Sequence, residues 1–372
     1  MAEIKEKTKP VSPKAKVEED LYGGEKPLPK KIADYIILVV GIALLVISLV
    51  MDGMGSESVV RGPMLIAGIL VTIAGIYLFP SPKYHRAMIY VIFLFPLLFA
   101  FIITVIIPLV LGIGYSFTDW DGIRVRNFVG FDNYARMMKR PEFIWSIIVT
   151  ALFVIFNVIL VNLFGFLLAL LCTTKIKAIG FFRASYFLPN LIGGIVLGYV
   201  WKFIFNQVLT KMLNTVTLLN ASNTALMAIV IVYIWQYAGY IMLIYITGLT
   251  GVPQDCIEAA AIDGANSWQT LTKIKVPMIA PTVTICTFLT LTSSFKQFDV
   301  NLALTNGTGS VANFMGSYLT NGTEMLALNI YNTAISENNY ALSQAKAVLF
   351  FILLAVISII QVRTSNKKEV SL

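Results

Sequence analysis

The sequence predicts an all-α, polytopic membrane protein with about eight transmembrane helices, on three observations. Of its 372 residues, 57% are hydrophobic and 13% charged, against about 45–50% and about 25% in soluble domains. Eight stretches approach the roughly 20 apolar residues that cross a bilayer. Basic residues gather in alternate intervals between those stretches, as charge-directed insertion requires.

In chain order, the first two stretches are 32–51 and 59–79, joined by a short loop and followed by a charged break, Ser81-Pro82-Lys83-Tyr84-His85-Arg86. Residues 32–80 therefore read as an extra N-terminal hairpin. The stretch 32–51 has no small-residue cleavage site after a short apolar core, so it reads as a retained helix. The other six stretches, 87–115, 144–172, 182–205, 225–251, 276–295 and 345–362, form a core over 86–363. Residues 1–31 carry eight lysines, prolines at 10, 13, 27 and 29 and few large apolar residues. They predict a disordered basic tail suited to anionic lipid, and 364–372 predict a second tail.

An even number of spans places both termini on one side, and the positive-inside rule makes that side the cytoplasm. The lysine-rich tail, Lys83, Arg86, Lys175, Lys177, Arg183, Lys273, Lys275, Arg363, Lys367 and Lys368 all fall there. One loop runs the other way: 116–143, assigned outside, holds Arg124, Arg126, Arg136, Lys139 and Arg140. The net charge of +8 thus describes orientation, and no nucleic-acid role follows from it. Cys172, Cys256 and Cys286 lack metal or disulfide spacing and read as small core residues. Trp120, Trp145 and Trp201 read as interfacial anchors.

Charge is missing from the middle of most spans; Lys296 and Asp299 sit at a span's outer end, and the one histidine, His85, falls in a loop. An ion-coupled transporter usually keeps an intramembrane carboxylate or histidine, so the energy source is expected outside this chain. The spans carry neutral hydrogen-bonding groups instead. Tyr233, Gln236, Tyr237 and Tyr240 share one helical face, as do Thr290, Ser294 and Gln297. Such groups suit a neutral polyol, whose ring C–H groups stack on aromatics, and suit helix-to-helix hydrogen bonding equally well. Asn190 after Pro189, and the Gly193-Gly194 pair, weaken the third core helix and fit a hinge or a lining.

Between the fourth and fifth of the six core stretches lies a polar island at 253–277. Val252-Pro253-Gln254-Asp255 reads as a helix start with Pro253 at the first helical position, and Asp255 and Glu258 suit the positive helix end. Gly264 allows an elbow, and Asn266 with Gln269 has capping-box spacing for a second short helix. The segment Glu258-Ala259-Ala260-Ala261-Ile262-Asp263-Gly264, then nine residues, then Ile274-Lys275-Val276-Pro277, closely resembles the EAA loop of ABC importer permeases. Val276 replaces the motif's leucine. Phe131-Asp132-Asn133-Tyr134, Leu188-Pro189-Asn190, Leu304-Thr305-Asn306-Gly307 and the run Thr323 to Tyr331 are similar to the sugar branch, of maltose type. The likeness covers about three quarters of the chain.

The resemblance implies a membrane permease subunit of an ATP-driven carbohydrate importer, taking up an oligosaccharide or related sugar; a permease for a polyol, peptide or phosphosugar, or an ion-coupled transporter, is the alternative. It implies partners: a second homologous permease in a heterodimer, two ABC ATPase subunits and an extracellular solute-binding protein. The coupling residues would be Glu258, Ala259, Ala260, Asp263, Gly264, Ile274 and Pro277; the sugar would meet Tyr233, Gln236, Tyr237, Tyr240, Thr290, Ser294 and Gln297. No Gly-x-x-x-x-Gly-Lys-Ser/Thr occurs, so the chain is expected to be no enzyme and to bind no cofactor or metal, ATP and Mg residing on the ATPases. Loop 116–143 is too short for the maltose permease's large external domain, and 306–322 looks expanded, with Asn-Gly-Thr at 306–308 and 321–323 read as turns.

Overall fold

The computed structural model describes residues 28–53, 60–78, 82–174 and 177–369. They fall into two compact units divided between Leu109 and Val110. The expected tail at 1–31 lies largely outside the described residues, as do 370–372 of the second tail.

The first unit begins with α1, Leu28–Gly53, and α2, Arg61–Tyr77, which pack against each other. Helix α1 starts inside the expected tail, because Pro29 is tolerated in a helix's first turn. Gly68 and Gly75 are buried and face Leu45 and Leu38 of α1; the missing side chains let the helices approach closely, as membrane packing favours. Helix α3, Pro82–Phe101, runs through a π-helical turn at Ile102–Ile106 into α4, Ile107–Ser116. The expected charged break is therefore corrected: Pro82 to Arg86, including His85, are already helical, proline again being acceptable where no donor is needed.

In the second unit the order is α5 (Asp132–Met138), α6 (Pro141–Cys172), α7 (Ile179–Leu191), α8 (Gly194–Phe203, continuing through a π turn at Ile204–Leu209 into α9, Thr210–Leu213) and α10 (Ser222–Thr250). There follow α11 (Gln254–Ile262), α12 (Ser267–Gln269), a π turn at Thr270–Lys275, α13 (Val276–Met278), α14 (Ala280–Phe295), α15 (Asp299–Leu304), hairpin strands β1 (Val311–Phe314) and β2 (Ser317–Leu319), α16 (Leu326–Ile335) and α17 (Tyr340–Glu369). Among the described residues, five helices are long and apolar enough to span a membrane alone; two bent pairs bring the number to seven, and α2 is a shorter apolar helix.

The first bent pair breaks the stretch 182–205 beside Asn190 and Gly193-Gly194, where the sequence weakens it, and the second corrects the sequence reading, which drew 276–295 as one span. Helices Ile179–Leu191 and Gly194–Leu213 meet at 98°. Ile192 and Gly193 are extended there, with ψ of 128° and 137°. The second pair, Ser267–Met278 and Ala280–Phe295, meets at 70°, so 276–278 belong to the connecting segment and the span starts at Ala280. The cause is Pro281, whose ring would clash with the carbonyl four residues back, at Pro277.

The core of this unit is α6 lying along α10, with α7 and α14 packed onto them. Val149, Phe153, Val161, Tyr233, Ile241, Met242, Tyr245 and Cys286 are buried together. Cys172 and Cys286 are buried as expected, and Cys256 is half-buried. The closest approach is at Gly239: a Cβ there would lie 1.8 Å from the Tyr186 carbonyl oxygen of α7.

At one end of the bundle a buried polar network joins the chain's last elements. The carboxylate of Glu324 accepts amide hydrogens from Asn321, from Asn329 at 3.0 Å and from Asn332 at 2.6 Å. Asn329 returns its Oδ1 to Lys346 Nζ at 2.7 Å, which also donates to Thr333 Oγ1 at 2.6 Å and sits over the Phe143 ring. Glu324 and Lys346 are both buried, and the amides between them spread the two charges.

The two Asn-Gly-Thr sequences meet beside that network. Thr323 N–H donates to the Gly307 carbonyl and Gly322 N–H to that of Gly309. Asn306 and Gly307 take left-handed angles, φ of 51° and 75°, as a turn sequence should. Trp145 donates its Nε1–H to the Gly322 carbonyl at 2.9 Å. In the loop at 117–130, Asp119 accepts backbone N–H groups of Asn127 and Arg126, which hold its carboxyl below the usual carboxylate range.

Gly239→Ala is expected to destabilise the protein by at least the ~1–3 kcal/mol typical of overpacking. Gly180→Ala, with open space around it, should change stability by less than ~0.5 kcal/mol. Thermal unfolding of the detergent-solubilised protein separates the two.

Candidate functional site

Two places merit description, the polar face of α10 and the segment from Pro253 to Pro277. On α10, Tyr233 is fully buried; its hydroxyl donates to Ser293 Oγ at 2.8 Å and accepts from Ser294 Oγ at 3.3 Å. Its ring stacks on Tyr237 at 4.3 Å and meets Phe153 edge-on at 5.2 Å. Gln236 donates Nε2–H to the Ile192 carbonyl at 3.3 Å, the point where the broken helix turns.

Thr290 donates to its own helix at Cys286 and accepts from Asn162 Nδ2, and Asn162 in turn accepts from the Tyr245 hydroxyl at 3.0 Å. Four of the seven expected sugar contacts, Tyr233, Gln236, Thr290 and Ser294, thus already use their polar atoms within the protein. Three keep a free group. Tyr237 and Tyr240 are half-buried and their hydroxyls bond no other described residue; Gln297 is buried with Nε2 unpartnered. Asp299 lies beside this set, within electrostatic reach of Tyr237.

The opposite face of α10 differs. Ile231, Ile234, Trp235, Ala238 and Gly239 line an apolar cavity of about 380 Å³ with Tyr186 and Pro189. It holds little to orient a polar solute.

In the second place, α11 starts at Gln254, one position later than expected, with Pro253 as the preceding cap residue. Gln254 Nε2–H reaches Glu258 Oε1 at 3.2 Å. Val252 and Ala260 are buried, anchoring one side; Glu258, Ala259, Ala261, Ile262, Asp263 and Gly264 are exposed. Gly264 adopts φ of +78° with nothing near its Cβ position, so conformation and not crowding requires glycine. The capping box forms: Gln269 N–H donates to Asn266 Oδ1 at 2.8 Å and Asn266 N–H to Gln269 Oε1 at 2.9 Å. Ile274 is half-buried and Pro277 exposed. Ile262 is 87% exposed and Trp268 70%, so large apolar groups stand out among charged neighbours, the composition of a protein contact.

Residues 139–369 match the family of binding-protein-dependent transport system inner membrane components. The chain belongs to that family. The Probable starch degradation products transport system permease protein AmyD of Thermoanaerobacterium thermosulfurigenes is 44% identical over 76% of this chain and 96% of its own length. The Multiple sugar-binding transport system permease protein MsmF of Streptococcus mutans is 31% identical over 71% of this chain and 90% of its own. A chain of a bacterial alginate ABC transporter, solved in complex with an alginate pentasaccharide-bound periplasmic protein, superposes with a TM-score of 0.65 at 19% identity, covering 77% of this chain and 96% of that one. The fold is that of an ABC transporter permease, and the protein is a multi-pass component of the cell membrane.

Reading the sequence missed Asn162, Glu324 and Lys346. The reading assembled no hydrogen-bonding face on α6, where Asn162 sits, and singled out no residue in the stretch 345–362, where Lys346 sits; a lysine inside an apolar helix is itself the signal for a buried partner.

Tyr233→Phe is expected to cost about 0.6–2 kcal/mol through lost interhelical hydrogen bonds. Tyr240→Phe should leave the unfolding temperature unchanged, since its hydroxyl bonds no other described residue.

Proposed function

We propose that this chain is the membrane-spanning permease subunit of an ATP-driven importer that carries an oligosaccharide handed over by an extracellular binding protein. The observation that carries the reading is the 44% identity to a permease named for starch degradation products, over nearly that protein's whole length. The name of MsmF and the periplasmic protein bound to the alginate transporter support the sugar and the external carrier.

In this reading both termini are cytoplasmic, and the Pro253–Pro277 segment meets one of two ATPase subunits that bind ATP and Mg. A second homologous permease completes the membrane pair. Glu258, Ala259, Ala260, Asp263, Gly264, Ile274 and Pro277 form the contact. Val252, buried in one core cluster with Tyr245, Ile246 and Leu249, ties it to the end of α10, so force applied at Ile262 and Trp268 passes into the helix that bears Tyr237 and Tyr240. The free groups of Tyr237, Tyr240 and Gln297 offer hydroxyl and amide partners to the sugar; Tyr233, Gln236, Thr290 and Ser294 shape and stiffen the wall behind them.

Uptake of radiolabelled mono- and oligosaccharides by the reconstituted complex tests the substrate class: ATP-dependent uptake of a neutral oligosaccharide is expected, and uptake that survives ATP depletion but collapses with an uncoupler overturns the ATP-driven reading. Glu258→Lys is expected to lower transport at least tenfold with membrane insertion intact, and normal transport would remove the coupling role.

A further inference from the structure

We propose that Asp299 selects the charge of the transported saccharide, admitting neutral sugars and turning away acidic ones. The inference rests on the saccharide-import reading and deepens it. Asp299 opens α15 and is exposed. Its carboxylate makes no ion pair or hydrogen bond with another described residue, and Lys296, three residues earlier and also exposed, does not bond it.

Its surroundings are those of the polar face already described. The Tyr237 ring lies within electrostatic reach. Asp299 Cβ is 2.7 Å, and Oδ2 3.3 Å, from where a Cβ would sit on Gly194, the first residue of α8 after the break. Only glycine leaves room for the carboxylate at that corner. Two residues away, Gln297 holds a buried amide with no partner, and Tyr237 and Tyr240 keep free hydroxyls.

A carboxylate, an amide and two phenols without internal partners supply acceptors and donors for sugar hydroxyls. The carboxylate accepts strong, charge-assisted bonds from hydroxyls and repels a uronate placed against the same wall. A like charge a few ångströms away at a protein surface is enough for about tenfold discrimination or more.

The test uses the complete transporter in lipid nanodiscs without the binding protein, so that the carrier's own selectivity plays no part. Labelled maltotetraose is displaced by unlabelled maltotetraose or by tetragalacturonate, alongside melting temperatures. The wild type should prefer the neutral sugar at least tenfold; Asp299→Asn and Asp299→Ser should close that gap, and Asp299→Glu should keep it. Unchanged discrimination in the folded Asn and Ser variants overturns the proposal alone, as does a loss confined to melting temperature. Maltotetraose that fails to bind even the wild type overturns the saccharide reading along with it.

Discussion

The hydrogen bond from Gln236 Nε2 to the Ile192 carbonyl is the contact on which the middle of the bundle depends. Within a bilayer, a backbone group left without a partner costs several kcal/mol, so chains break there only where protein groups replace the lost helical bond. Ile192 is such a break, and α10 supplies the replacement. Once the corner is pinned, α7 leaves it with the Tyr186 carbonyl pressed against Gly239, and α8 leaves it with Gly194 against Asp299. Packing and polar wall are two results of one turn.

The candidate contacts on α10 and α14 then divide by what they already bond. Tyr233 with Ser293 and Ser294, and Thr290 with Asn162 and Tyr245, are closed networks that hold α6, α10 and α14 in register. Helical spacing alone brings Tyr237 and Tyr240 to the same face, yet their hydroxyls remain free. Periodicity reports which face is polar; only the neighbours decide which groups are spent.

Most of the fold was legible from apolar length, and all eight expected stretches are helical over most of their extent. The capping box at Asn266 and Gln269 was legible too, because it is local chemistry with fixed spacing. The corners were harder. Apolar windows average over Ile192 and Ile279, and Pro281, whose ring conflicts with the carbonyl four residues back in a continuous helix, carries no weight in a hydropathy count. Lys346 escaped for the opposite reason: its partners, Asn329, Thr333 and through Asn329 Glu324, lie in a different element, and sequence distance conceals a pairing that folding makes obligatory.

The meeting of the two Asn-Gly-Thr sequences has a consequence of its own. By tying 307–309 to 321–323, the chain cinches the neck of the β hairpin, whose arms are held by Phe314 against Trp145 and by the buried Leu319, so that only the turn at Met315 and Gly316 stands clear. Its tip can lengthen, shorten or change composition without passing strain to the helices beneath. A relative could thus present a different surface by rewriting that turn alone, while the bundle and the Pro253–Pro277 segment stay as they are.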